Sequence, residues 1–141
     1  MRTAPRIRSD ETGVAVIETA FALPILIVMI WMFIQLAEVY RALAGMQHAL
    51  GQGARYATLC LTPTAAAGCS RPSADDIKRK IDDSVYGIGP GTFPPATVVL
   101  GTSGTGKFYD LTVQYSQSTS LLLFTTPDVN VTRSKRVWVA G

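Results

Sequence analysis

Glu18 is the only ionisable residue in a largely apolar run that covers residues 14–34. A carboxylate costs about 2.5–3.5 kcal/mol at mid-bilayer and less near the interface, so it persists in a membrane where something uses it. Gly13 directly precedes this run. A cut after Gly13 would leave Val14 with a positive amine one helical turn from Glu18, which could offset that amine or a neighbouring subunit's. The alternative is that Glu18 only extends to the cytoplasmic headgroups.

A second pattern, in residues 101–107, has the glycine and lysine spacing of a phosphate-binding loop. Such a loop needs Ser or Thr next, to bind magnesium, and then a helix whose N-terminus faces the phosphate. Phe108 stands at that next position, and residues 108–116 alternate as a strand. We therefore interpret this segment as a hairpin turn.

The other polar residues suggest no chemistry. His48, the only histidine, has no second metal-ligand type three or four residues away on a helix. We predict no catalytic residues, no metal, no cofactor and no enzymatic activity. The net charge of +3 is too small to indicate a nucleic-acid partner. Arg133, Lys135 and Arg136 are better explained as protection of a sheet edge than as a DNA or anion site.

Cys60 and Cys69 are the only cysteines, and they lie close together in the sequence. In an oxidising compartment the simplest interpretation is a disulfide that closes a small loop and contributes roughly 2–3 kcal/mol. The alternative is two unpaired thiols.

The apolar run predicts a transmembrane helix. Residues 14–34 would span about 32 Å at roughly 1.5 Å per residue, against a hydrocarbon core of about 30 Å. Arg2, Arg6 and Arg8 precede the run, and Arg41 is the first basic residue after it. This bias places the N-terminus in the cytoplasm and the residues after about 40 across the membrane.

The helical pattern continues beyond the membrane. Apolar residues recur at spacings of three and four as far as Ala57, namely at Leu36, Val39, Tyr40, Leu43, Met46, Leu50, Ala54 and Ala57. We predict one helix over residues 14–57, bent at Pro24, with residues 35–57 as an amphipathic continuation. Its outer half needs a packing partner.

Residues 58–141 predict a small αβ domain, in which residues 58–72 are a linker. Ser73 and Asp76 indicate the capped start of a short helix that ends near Gly87. Strands are predicted at residues 97–100, at 109–116 and at 129–139, the last interrupted near Arg133, while residues 120–124 are ambiguous. The fold class is α+β: the long helix packs on a small antiparallel sheet of about three strands, with one short extra helix.

The segment from Gly13 to Pro24, with Glu18 and the long amphipathic helix, resembles the start of a type IV prepilin. The variant Gly-Val-Ala-Val-Ile-Glu-Thr-Ala-Phe-Ala-Leu-Pro is most similar to the TadE-like proteins of tight-adherence (Flp) pili. That resemblance implies that residues 1–13 are a leader, removed after Gly13 by a prepilin peptidase. It also implies that the mature chain joins other pilins through its helix, with Glu18 setting the register.

The resemblance is specific over residues 13–57 and architectural beyond them. The major Flp pilin is a short chain with Tyr after the Glu, whereas Thr19 follows here and a further domain is present. The family therefore implies a minor pilin or pseudopilin that supports surface attachment. Its partners would be other pilins or pseudopilins, the prepilin peptidase, the assembly platform and the lipid bilayer. It would lie in the inner membrane with a periplasmic domain, extracellular once in a pilus.

Two other interpretations differ in where the chain is cut. Residues 1–44 would be a secretory signal peptide if cleavage followed Ala42-Leu43-Ala44, although the apolar run exceeds the usual 7–15 residues of such a signal. An uncleaved chain would instead be an anchored periplasmic binding module.

Overall fold

The computed structural model describes residues 11–64, 68–85, 87–121, 124–125 and 127–139. It confirms the α+β class: a long helix α1 (Glu11–Ala57), a short helix α2 (Ala74–Val85) and a three-stranded antiparallel sheet. The sheet consists of β3 (Thr97–Ser103), β4 (Gly106–Gln117) and β7 (Val129–Val139), in the order β3-β4-β7.

Helix α1 begins three residues earlier than predicted, at Glu11. The helix runs uninterrupted through Pro24 to Ala57. Most of the predicted leader, residues 1–10, lies outside the described residues.

The packed face of α1 begins later than its apolar periodicity predicts. Leu36 and Tyr40 are 51% and 64% exposed, and the first buried apolar residue is Ala42. The two exposed residues lie one turn apart on a face that the domain does not cover. From Ala42 onward the predicted spacing holds, and the buried apolar residues of α1 are Ala42, Met46, Ala49, Leu50, Ala54 and Ala57.

Helix α2 forms as predicted, from a capping box. The Asp76 amide donates to Ser73 Oγ and the Ser73 amide donates to Asp76 Oδ2, both at 3.2 Å. Its buried face is Ile77, Ile81 and Val85.

Two glycines let the second helix and the loop after it lie against α1. A Cβ at Gly53 would be 2.5 Å from Ile81 Cγ1, and one at Gly45 would be 2.6 Å from Ile88 Cδ1. From Ile81 to Ile88 the chain therefore runs in the direction opposite to that of α1.

The main sheet packs on the outer half of α1 through β4 and β7. The buried apolar residues of β4 are Tyr109, Leu111, Val113 and Tyr115, which alternate with less buried ones as predicted. Gly104, with φ +60, is the first of two loop residues that join β3 to β4, so the hairpin turn predicted in place of a phosphate-binding loop is confirmed.

Two strands, β3 and β4, are longer than predicted, and β7 is continuous. β3 continues to Ser103, paired with β4 up to the hairpin. The interruption predicted in β7 was wrong, since β7 pairs with β4 from Val129↔Gln117 to Val139↔Lys107. Arg133 and Lys135 are exposed at this edge strand, so their charges do not force a break.

Strand β4 runs antiparallel to the outer half of α1. At one end Gln117 Nε2 donates to Glu38 Oε2 at 3.4 Å. Further along, Leu111 Cδ1 lies 3.6 Å from the Cβ position of Gly53. The Gln117 end of the sheet is therefore nearest the apolar half of α1 (residues 14–34), and the Gly104 hairpin is farthest from that half.

Two small hairpins complete the described fold. Within the predicted linker, β1 (Thr62–Thr64) pairs with β2 (Gly68–Ser70), strands too short to be read from alternation. The ambiguous segment after β4 contains β5 (Ser120–Leu121), which pairs with β6 (Phe124–Thr125).

Candidate assembly site on the apolar half of the long helix

The predicted processing and register residues lie together at the start of α1. Gly13, Val14 and Glu18 are exposed, with Val14 67% exposed, and a Cβ at Gly13 would meet no atom within 4 Å. On a helix, Val14 and Glu18 are one turn apart, a rise of about 6 Å. The structure thus leaves both the peptide bond after Gly13 and the Glu18 carboxylate accessible to another molecule.

The run that follows is almost wholly uncovered. The helix has an apolar window with mean hydropathy 2.4, and none of that window is buried. By length and composition this helix could cross a membrane. Exposure of so large an apolar surface to water is unfavourable, so these side chains need a lipid or protein environment.

Thr19 is compatible with such an environment because its hydroxyl is satisfied within the helix. Its Oγ1 donates to the Ala15 carbonyl at 2.8 Å. Ala15, Thr19 and Ala20 line a shallow groove with Leu23 and Pro24. Small side chains of this kind let a second helix approach closely. The sequence interpretation missed this groove, although the spacing of Ala15 and Thr19 is a usable signal.

A polar cluster joins α1 to the domain where the apolar half ends. The Tyr115 hydroxyl donates to Gln117 Oε1 at 2.6 Å, and Gln117, only 4% exposed, donates to Glu38. Burial raises the pKa of Tyr115, while a hydrogen bond with the Gly91 backbone acts in the opposite direction. This cluster places the Gln117 end of β4 beside Glu38. Sequence reasoning missed it because its members are far apart in the chain.

The basic cluster divides into two parts. Arg136 forms a bidentate pair with Asp110, at 2.8 Å and 2.9 Å, and its guanidinium lies 4.1 Å from the centre of the Phe108 ring. The hydrogen bond from Arg136 lowers the pKa of Asp110. Arg133 and Lys135 remain exposed on the edge strand β7, as edge protection requires.

Cys60 and Cys69 are at disulfide distance, with Cα atoms 5.3 Å apart, which fits the predicted bond. His48 is exposed on α1. Within the described parts of the chain, no group of three His, Cys, Asp or Glu side chains could hold a metal ion.

Comparison with known proteins yields no relatives. No family model matches the chain, and neither a curated protein nor a solved structure is significantly similar to it.

Proposed function

We propose that this protein is a minor pilin or pseudopilin of a tight-adherence, type IV-like pilus, processed after Gly13 and assembled through the apolar half of α1. It takes part in the initiation, tip or base complex and so supports surface attachment. Its partners are other pilins, the prepilin peptidase and the inner-membrane assembly platform. It lies in the inner membrane with its N-terminus in the cytoplasm and its αβ domain in the periplasm.

One observation supports the proposal. The Gly13-Val14 bond and the Glu18 carboxylate lie at the start of an exposed apolar helix, and the other half of that helix packs against a small folded domain. A membrane anchor alone needs neither the glycine nor the acid. Helix-to-helix assembly uses both, since Glu18 can pair with the amine that cleavage creates.

The secretory alternative fits less well. Cleavage after Ala44 would cut α1 inside its continuous helix and remove Ala42, which is fully buried against the domain. It would also remove Glu38, the partner of Gln117. A signal peptide is discarded after cleavage, whereas these residues are structural.

The first test is the N-terminal sequence of the protein recovered from its native membranes, for the wild type and for Gly13→Leu. We expect a wild-type chain that begins at Val14, and a variant that retains residues 1–13. The matched control is Gly51→Leu, because Gly51 is also a glycine of α1 whose Cβ would meet no atom within 4 Å.

Equal processing of both variants, or a wild-type chain that keeps its leader, would refute the proposal. A wild-type chain that begins near Gly45 would instead identify a secreted protein.

A further inference from the structure

The exposed face of the outer half of α1 carries three basic residues in a line. Arg41, His48 and Arg55 are spaced by seven residues, so they lie on one face of the helix with a rise of about 10.5 Å between neighbours. All three are exposed, whereas the buried Met46 and Gly53 lie on the other side of the helix, against the domain. We call these three residues the basic row.

The basic row has no acidic partner within the part of the chain that the structure describes. Residues 39–74 contain no Asp or Glu, and Glu38, just before them, accepts a hydrogen bond from Gln117. Neither of the salt bridges among the described residues includes a member of the row. A solvated helix face usually mixes both signs of charge, because pairs three or four residues apart stabilise it. A row of one sign at a strict seven-residue spacing instead indicates an anionic partner from outside the chain.

The spacing of the row fits a helical partner. Small residues alternate with the basic ones at spacings of four and three, namely Ala37, Ala44, Gly51 and Thr58. Such a seven-residue repeat keeps one face of a helix turned toward a second helix along its length. Ala44 is exposed, and a Cβ at Gly51 would meet no atom within 4 Å, so the partner can approach closely between the basic side chains.

Charge and distance disfavour two other occupants of this face. A second copy packed in parallel through the same face would place each arginine against its own equivalent, and like charges at an interface repel. A lipid surface is out of range, because Arg55 is twenty-one residues beyond Ile34. That separation is a rise of about 32 Å, far past the headgroup layer of a bilayer around residues 14–34.

We infer that the basic row docks a helix of a different protein, whose carboxylates recur every seven residues. The guanidinium groups of Arg41 and Arg55 donate charge-assisted hydrogen bonds to two of these carboxylates. His48 has an N–H group in either protonation state, so it donates to the carboxylate between them. Within the proposed pilus the partner is a different pilin, but the docking does not depend on cleavage at Gly13, and cleavage does not require the docking.

The test measures the binding of labelled four-heptad helical peptides to the full chain in a non-ionic detergent, by fluorescence anisotropy. Each peptide has Ala at one core position of every heptad and Glu, Gln or Lys at the other. The charge-reversal variant is Arg41→Glu/Arg55→Glu. The matched control is Arg133→Glu/Lys135→Glu, which reverses two exposed cations of β7 and has the same net charge.

We expect the wild type to bind the Glu peptide at least about tenfold more tightly than the Gln peptide, with most of this difference lost at high salt. The charge-reversal variant should prefer the Lys peptide instead, and the control variant should keep the preference of the wild type.

Equal affinity of the wild type for the Glu and Gln peptides would overturn the inference. An equal loss in both variants would also overturn it, because the effect would then be one of net charge. Binding of a DNA duplex as tight as that of the Glu peptide, and lost in the same variant, would show that the row attracts any anion and would overturn it as well. None of these outcomes bears on cleavage at Gly13, which N-terminal sequencing measures separately.

Discussion

The two halves of α1 belong to one uninterrupted helix but have opposite surroundings. In the apolar half nearly every side chain is exposed, whereas in the outer half Ala42, Met46 and Leu50 are buried against α2 and the sheet. Bulky apolar residues predominate in the apolar half, and small residues make up much of the outer half. The difference shows that helical periodicity alone does not define the partner: side-chain size indicates where the helix packs on its own domain.

The largest effect on folding is expected from Gly53→Leu in the packed half. Any Cβ at this position would overlap Ile81, so the variant should lose about 3 kcal/mol or more of unfolding free energy. Thermal unfolding of the detergent-solubilised protein measures this. Gly13→Leu is the matched control, and an equal loss there would contradict the division of the helix.

Cys60→Ser together with Cys69→Ser should cost roughly 2–3 kcal/mol, because the unfolded chain loses a small closed loop. Denaturant unfolding under oxidising conditions measures the change. Under reducing conditions the wild type should match the double variant, and a persistent difference would assign the loss to packing instead.

Ser73→Ala should destabilise the domain by about 1 kcal/mol, since the Asp76 amide loses its acceptor at the start of α2. Ser103→Ala, at an exposed strand position, is the control. Equal midpoints in denaturant for the two variants would show that the cap contributes nothing.

Acid should weaken the domain through two partly exposed carboxylates. Hydrogen bonds from Ser73 lower the pKa of Asp76, and the hydrogen bond from Arg136 lowers that of Asp110, both below 3.8. A depressed pKa favours the ionised folded state, so this stabilisation is present above about pH 4 and is lost as the pH falls through the folded values. Asp110→Asn should flatten the decrease of Tm in that range, and an unchanged slope would contradict the assignment.

Glu18→Gln should leave the unfolding of the domain unchanged, because Glu18 lies outside the packed half. Its expected effect is on assembly: the variant should still be cut after Gly13 but should fail to co-purify with partner pilins. Glu18→Asp, which keeps the charge, tests whether charge or reach is needed. Normal assembly of the Gln variant would remove the role assigned to the carboxylate.

The sequence predicts those parts of the fold that local signals determine. Ser73 and Asp76 indicate the start of α2, and the alternation from Tyr109 to Tyr115 identifies β4. It does not predict where α1 begins to pack, because Leu36 and Tyr40 continue the same periodicity whether they face a domain or a lipid interface. The sequence also does not predict the hydrogen bond between Gln117 and Glu38, since that bond depends on how β4 is aligned along α1. The roles of Gly13, Val14 and Glu18 stay predictions.

The alignment of β4 and β7 with the helix has a mechanical consequence. The β4–β7 ladder extends from Gln117↔Val129 to Lys107↔Val139, and β4 lies along α1 in the antiparallel sense. A force applied along the helix axis therefore loads this ladder in shear, so that its hydrogen bonds must break together and not one at a time.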